Sequence, residues 1–174
     1  MPRVIKVQLG VASITEAIQE LQEYKTWLAE KANQICERLS FLGAMNARLS
    51  FSSAIYKGVK DVDVTVDPIE NGYVIRANGE TVLFLEFGAG VTYGKGHPQA
   101  QQFGMGPGTW PHPHYRKVNG KMVANWENPH GWWIPKERGG GHTYGNSPNM
   151  AMYNSAKLIQ NEVERVAREV FATQ

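Results

Sequence analysis

Ile14, Leu21, Leu28, Ile35 and Leu42 recur every seven residues. Two helical turns separate each from the next, so all five lie along one side of an α-helix. Ile18, Ala32 and Leu39 fill much of the adjoining row, and Lys25 interrupts it. Ser13 and Glu16 make an S-x-x-E capping box in front, where each side chain satisfies an otherwise orphaned main-chain N–H. Gly43 reads as the stop. The pattern predicts an amphipathic helix of about 30 residues, ~45 Å long at 1.5 Å per residue. Such a helix in a small domain either protrudes or packs along its length against a sheet. The broken second row weighs against self-pairing as a coiled coil.

Beyond Gly43 the period changes to two. Residues 47–56, ARLSFSSAIY, read as a strand, as do residues 3–9, RVIKVQL, ahead of the helix. In 61–68, DVDVTVDP, Val62, Val64 and Val66 face one way and Asp61, Asp63 and Thr65 the other. Asn71-Gly72 and Asn78-Gly79 are tight-hairpin signals. They divide DVDVTVD, YVIRAN and TVLFLEF into an antiparallel meander. The chain closes on a second helix, with Ser147 as N-cap and Pro148 in the first turn. Met152, Ala156, Ile159, Val163, Val166 and Val170 form its apolar face, and Glu164/Arg168 and Arg165/Glu169 are i,i+4 pairs on its solvent side. The predicted class is α+β: a long N-terminal helix and a C-terminal helix packed on an antiparallel β-meander, in one domain spanning 1–174.

Residues 88–147 form a loop insertion in that plan. They hold most of the glycines and prolines, all five histidines and four of the five tryptophans. HYRKV and KMVAN, joined by Asn119-Gly120, are the strand-like pieces. A stretch this long with so little periodicity is usually functional or disordered, and its aromatics argue against disorder. It is expected to order on contact with something, a copy of itself included.

Chemistry is hard to find. A net charge of +2 with no block of like sign argues against nucleic-acid binding. Cys36 is the sole cysteine, which excludes an intramolecular disulfide, fits a reducing compartment, and reads as a small core residue. No apolar run reaches the ~18 residues of a spanning helix, and residues 1–13 lack the apolar core of a signal peptide. His112 and His114 with a third histidine are the residue types that bind zinc, but their spacing matches no common motif. Trp110, Trp126, Trp132 and Trp133 suit a sugar platform, a protein contact or a local loop core. Asp61, Asp63 and Asp67 alternate along a strand and are not a calcium loop. The glycines around Lys95 lack the Ser or Thr of a phosphate loop, and no G-x-S-x-G is present. The sequence therefore reads as non-enzymatic and without a cofactor.

One residue stands apart. Glu86 lies inside VLFLEFG, the most apolar run of the chain. Strand alternation sets it with Val82 and Phe84, opposite Leu83, Leu85 and Phe87. A buried carboxylate without a partner costs several kcal/mol, roughly. Arg76 on the neighbouring predicted strand is the expected partner. The alternatives are N–H groups of the glycine turn that follows, or an arginine of an adjacent subunit. Either way Glu86 reads as an anchor where the insertion leaves the core, and not as a catalytic acid.

Two stretches, VLFLEFGAGV and HTYGNSPNMAMYNSAKLIQNEVERVAREVF, flank the insertion. Together they resemble the minor head–tail neck proteins of long-tailed bacteriophages, the tail-completion or head–tail joining proteins. That family has a strand ending L-E-F-G-T and a proline-led segment opening a C-terminal helix. The matching residues are Leu85-Glu86-Phe87-Gly88, and Pro148 with Met152, Tyr153 and Ala156. Ala89 departs from the usual Thr, and the insertion is long, as in versions from phages of Gram-positive hosts. The resemblance covers nearly the whole chain. It implies a ring in the virion neck, six-fold by preference and assembled in the host cytoplasm. The ring would join head-connector or stopper proteins to tail-terminator or tail-tube proteins, and DNA would cross its lumen without sequence-specific binding. Fold and assembly are then expected to depend on Glu86, Gly88 and Arg76, on the four loop tryptophans, and on Pro148, Met152 and Tyr153. A zinc module or metal-dependent enzyme built on the loop histidines, and a carbohydrate-binding module built on the tryptophans, are the alternatives.

Overall fold

The computed structural model describes residues 11–90, 92–105, 115–118, 121–124 and 130–172; the strand expected at 3–9 lies outside them. The fold is α+β, with two long helices flanking a small antiparallel sheet. Helix α1 runs from Val11 to Ser53, 43 residues without a break and ~64 Å long. It passes straight through Gly43 and through residues 47–53 of the stretch expected as a strand at 47–56. The reason lies in packing. Ala44, Ala47, Phe51 and Ala54 are buried at helical spacing in one core cluster with Val64 and Leu85. Gly43 is a contact point and not a stop: a Cβ there would come within 2.4 Å of Cδ1 of Ile159 and 3.0 Å of Cδ1 of Ile75.

Strands β1 (Asp63–Ile69) and β2 (Gly72–Asn78) form an antiparallel hairpin, with Asp63 opposite Asn78 and Ile69 opposite Gly72. The turn follows the Asn71-Gly72 signal, and Gly72 takes a φ of 144° that other residues rarely adopt. Val64 is fully buried against α1, with Val62 and Val66 packed beside it, as the alternation predicts. Nε and Nη2 of the Arg48 guanidinium, on this side of α1, donate to the Val64 carbonyl, fastening helix to strand.

The third strand of the expected meander is absent. Residues 82–87, VLFLEF, form a short helix, α2 (Val82–Phe87). Asn78-Gly79 therefore opens a turn into a helix, not a second hairpin. Leu85, Glu86 and Phe87 are all buried in succession while Leu83 is exposed, which a half-buried strand does not allow. Asp61 holds the start of α2: its carboxylate accepts from the main-chain N–H of Glu80 (2.8 Å) and of Thr81 (3.0 Å), and from the Thr81 hydroxyl. The hydroxyl bond, with the two main-chain bonds behind it, lowers the Asp61 carboxyl below its ordinary pKa. A carboxyl lowered on folding contributes stability that is present above its unfolded value, near ~4. That stability is lost as pH falls through the folded value. Asp61→Asn is expected to remove it, so parent and variant melting temperatures, scanned from pH 7 to about 2, should converge at the acid end. A difference that stays constant across the scan would sink this assignment.

Short strands follow: β3 (Ala89–Gly90), β4 (Tyr115–Val118), β5 (Lys121–Ala124), β6 (Trp132–Trp133), β7 (His142–Thr143) and β8 (Gly145–Asn146). They pair antiparallel as β3 with β8, β4 with β5, and β6 with β7. The hairpin β4–β5 is the one read from HYRKV and KMVAN. Pairing of β3 with β8 brings the two ends of the 88–147 insertion together.

Helix α3 (Ala151–Ala172) closes the chain. It runs antiparallel to α1: Asn46 of α1 bonds the hydroxyl of Ser155 near its start, and Lys31 donates to the carbonyl of Val170 near its end. Ile35 and Leu39 of α1 pack against Val166 and Val170. The face turned inward is Ala151, Ser155, Val166 and Val170, with Ile159 packed beside it; Ala156 and Val163, expected inside, are exposed. Glu164–Arg168 and Arg165–Glu169 form as expected on the solvent side. Cys36, expected in the core, is also exposed.

Candidate functional site

The end of α2 and the start of α3 meet in one joint. A helix leaves its last four carbonyls without partners inside it. In α2 all four are taken from outside. Phe84 accepts from the Asn146 side-chain amide (2.8 Å), Leu85 from Asn149 N–H (2.8 Å), Glu86 from Met150 N–H (3.2 Å) and Phe87 from Gly94 N–H (2.7 Å). Three of the four donors belong to the segment leading into α3.

The same joint answers what Glu86 is for. Its residue is 5% exposed. Oε2 accepts from Met152 N–H at 2.9 Å, and Oε1 from Tyr153 N–H at 3.0 Å. These are two of the orphan donors at the N-terminus of α3, where the aligned peptide dipoles place roughly half a positive charge. Glu86 is therefore the cap of α3, supplied from another helix. Ser147 and Pro148, expected to cap it, lie before the helix begins. Arg76, expected to pair with Glu86, instead pairs with Asp67 on the exposed face of the β1–β2 hairpin. That expectation assumed a strand at 82–87; as a helix, the segment turns Glu86 toward α3.

A third donor completes the carboxylate's shell. His97 Nε2 lies 3.3 Å from Glu86 Oε1, and His97 Nδ1 accepts from the main-chain N–H of Gln99 at 3.2 Å. Nδ1 is thus unprotonated, and Nε2 carries the hydrogen and donates it to Glu86. The imidazole is buried and lies 4.3 Å from the ring centre of Phe87 and 5.5 Å from that of Tyr153. Phe87, Tyr93 and Ala100 make a small core around this point, with Met105 beside them. The carboxylate–imidazole pair does not have the layout of a general base. Both ring nitrogens and both carboxylate oxygens already make internal bonds, and both residues are buried.

Backbone shape matters at two glycines. Gly88 has a φ of 78°, and a Cβ there would stand 2.7 Å from the Asn146 carbonyl oxygen and 2.8 Å from Cδ of Pro148. The close approach lets Pro148 lie on the exit of α2. Gly145 has a φ of 101°, and its Cβ would meet the Ala89 carbonyl oxygen at 2.1 Å, where β3 and β8 pair. Met150 precedes α3 with a φ of 57°, a conformation non-glycine residues rarely adopt. It is held there by its bond to Glu86 and by Asn154 N–H donating to its carbonyl (2.9 Å).

Of the residues singled out in the sequence, Glu86, Gly88, Pro148, Met152 and Tyr153 come together in this joint, and Arg76 does not. Trp132 and Trp133 sit on β6, where Trp133 is exposed and packs edge-on against His142, which meets Tyr144 in the same way. The hairpin carrying them is seated on the chain after α1 through Val59 N–H to the Arg138 carbonyl (3.0 Å) and the Arg138–Glu80 ion pair. Trp110, Trp126, His112 and His114 lie outside the described residues. Among the described residues no group of three His, Cys, Asp or Glu side chains could hold a metal ion, and no helix is long and apolar enough to cross a membrane. The sequence reading missed His97, Asn146 and Asp61. Only Asn146 carried a local signal, the Asn-Ser-Pro turn ahead of α3. Comparisons with known protein families, curated proteins and solved structures find no match for the chain.

Proposed function

We propose that the chain is a structural protein of the neck of a long-tailed bacteriophage, one copy of a ring joining the DNA-filled head to the tail. One observation carries this reading. The two short stretches that resemble the neck family, Leu85–Gly88 and Pro148–Ala156, form a single joint through Glu86. Each motif alone is weak. That they make one working contact gives their pairing a physical reason. The pairing of β3 with β8 adds a second support, because it closes the base of the insertion. The insertion's length and composition are then free to change without disturbing the helices, as expected of a loop that engages variable partners.

In this role the protein needs rigidity and surfaces, not an active site. A ring is built from heterologous contacts that close on rotation. A lumen that passes DNA works best without strong phosphate contacts, and the net charge of +2 suits that. Mixed with the head-connector and tail-terminator proteins of the same phage, the chain is expected to give a ring-shaped complex, six-fold by preference, in electron microscopy and mass photometry. A protein that stays monomeric and binds neither the head connector nor the tail tube overturns the proposal.

A further inference from the structure

Two apolar surfaces on α1 have no partner among the described residues. The first is its N-terminal arm. Helix α3 ends at Ala172, level with Lys31 and with Trp27, whose ring lies 5.7 Å from that of Phe171. Beyond that level every residue from 18 to 26 is exposed. Ile14, Ile18, Leu21 and Leu28 continue the row that Ile35 and Leu39 bury against α3, yet each is 43–56% exposed. A lone helical segment of this length is marginal in water. The second surface is a ridge on the body of α1, formed by Phe41, Met45 and Leu49 at i,i+4 spacing. All three are more than half exposed, on the side turned away from α3 and the β1–β2 hairpin.

We infer that the arm of one copy docks on the Phe41–Met45–Leu49 ridge of a second copy of this chain. Charge selects this pairing over arm against arm. Residues 11–30 carry Glu16, Glu20, Glu23 and Glu30 against Lys25 alone. Beside the ridge, Arg38 lies three residues before Phe41 and Lys60 donates to the carbonyl of Ser52, three residues after Leu49, against Glu37 alone. A carbonyl accepts the hydrogen bond but does not cancel the charge. Arm on arm brings two acidic segments together; arm on ridge brings an acidic segment to a basic one. A parallel arm pair would also set Lys25 against its own copy in the seam. Arm on ridge uses different patches on the two copies, so it propagates head to tail and closes into a ring when the rotation allows. The inference deepens the ring reading and rests on it for the closure alone.

Sedimentation velocity of the full chain tests it with Leu21→Glu in the arm and Met45→Glu on the ridge. Both positions are exposed, so circular dichroism and melting should match the parent; Leu49→Glu serves as a second ridge variant. The parent is expected to form species larger than a dimer at about 100 μM, and each variant to self-associate at least ~30-fold more weakly. An equal mixture of the arm and ridge variants should give a heterodimer and nothing larger, because it keeps one intact arm facing one intact ridge. A ridge variant that assembles like the parent overturns the inference, and so does a parent that is monomeric at about 100 μM. In either case, binding to the connector and terminator proteins tests the ring reading separately.

Discussion

Glu86→Gln is expected to lower the melting temperature by about 6–12 °C, equivalent to roughly 3 kcal/mol in a chain of this size. The carboxylate accepts three hydrogen bonds inside the protein, from Met152 N–H, Tyr153 N–H and His97 Nε2. Hydrogen bonds to a charged group contribute about 1.5–3 kcal/mol each, and a buried donor left unpaired costs about 1–3 kcal/mol. An amide keeps one acceptor oxygen but turns its NH2 toward a main-chain N–H, so donor faces donor. The charge that complements the start of α3 is also gone. Glu86→Ala loses all three bonds and is expected to fall further. Arg76→Ala is the control: its pair with Asp67 has both side chains about half exposed, where ion pairs are worth about 0–1 kcal/mol. A thermal melt of the three variants decides the matter. Glu86→Gln melting within a degree or two of the parent would remove the joint from the account of this fold. An equal loss in Arg76→Ala would restore the pairing the sequence first suggested.

The consequence reaches assembly. α2 ends where the 88–147 insertion leaves, and α3 begins where it returns, so the joint sets the position of both ends of the loop. If the insertion carries contacts to neck partners, a loosened joint should weaken those contacts in step with the loss of melting temperature, with no catalytic activity involved.

What the sequence revealed and what it concealed follow from the range of the interactions. α1 as far as Gly43, α3, the β1–β2 hairpin and the β4–β5 hairpin were legible because their signals are local: a seven-residue recurrence, a clean alternation, an Asn-Gly between two apolar runs. The segment 82–87 was not. A six-residue apolar run fits a strand or a buried helix equally well, and its choice here is made by Asp61, twenty residues earlier, and by donors from 146–150. The same limit hid the cap of α3. Ser147 and Pro148 look like a helix start, but the group that caps the helix is a carboxylate 66 positions away along the chain. Glu86 itself was legible as a residue in need of a partner. Which partner it found was a question of tertiary structure.

Gly43→Leu is expected to destabilise the protein by about 2–3 kcal/mol, within the range of overpacked cores, or roughly 4–12 °C in melting temperature. The sequence presents Gly43 as a helix stop. On that reading a leucine there loses the left-handed cap that a glycine supplies after a helix, and trimming Ile159 recovers nothing. The structure gives a different cause. Gly43 lies within α1, where it is buried under Ile159 of α3 and Ile75 of β2. Even a Cβ would stand 2.4 Å from Cδ1 and 2.9 Å from Cγ1 of Ile159, and a leucine adds three more carbons with nowhere to go. Ile159→Ala alone should also destabilise, by leaving a cavity. In the double variant the added and removed volumes offset, so Gly43→Leu with Ile159→Ala should be clearly more stable than the sum of the two single losses. A double-mutant cycle measured by urea unfolding gives that coupling directly. Additive losses would mean that α1 and α3 do not touch at this point. The account of α1 running unbroken through Gly43 beneath Ile159 would then have to be redrawn.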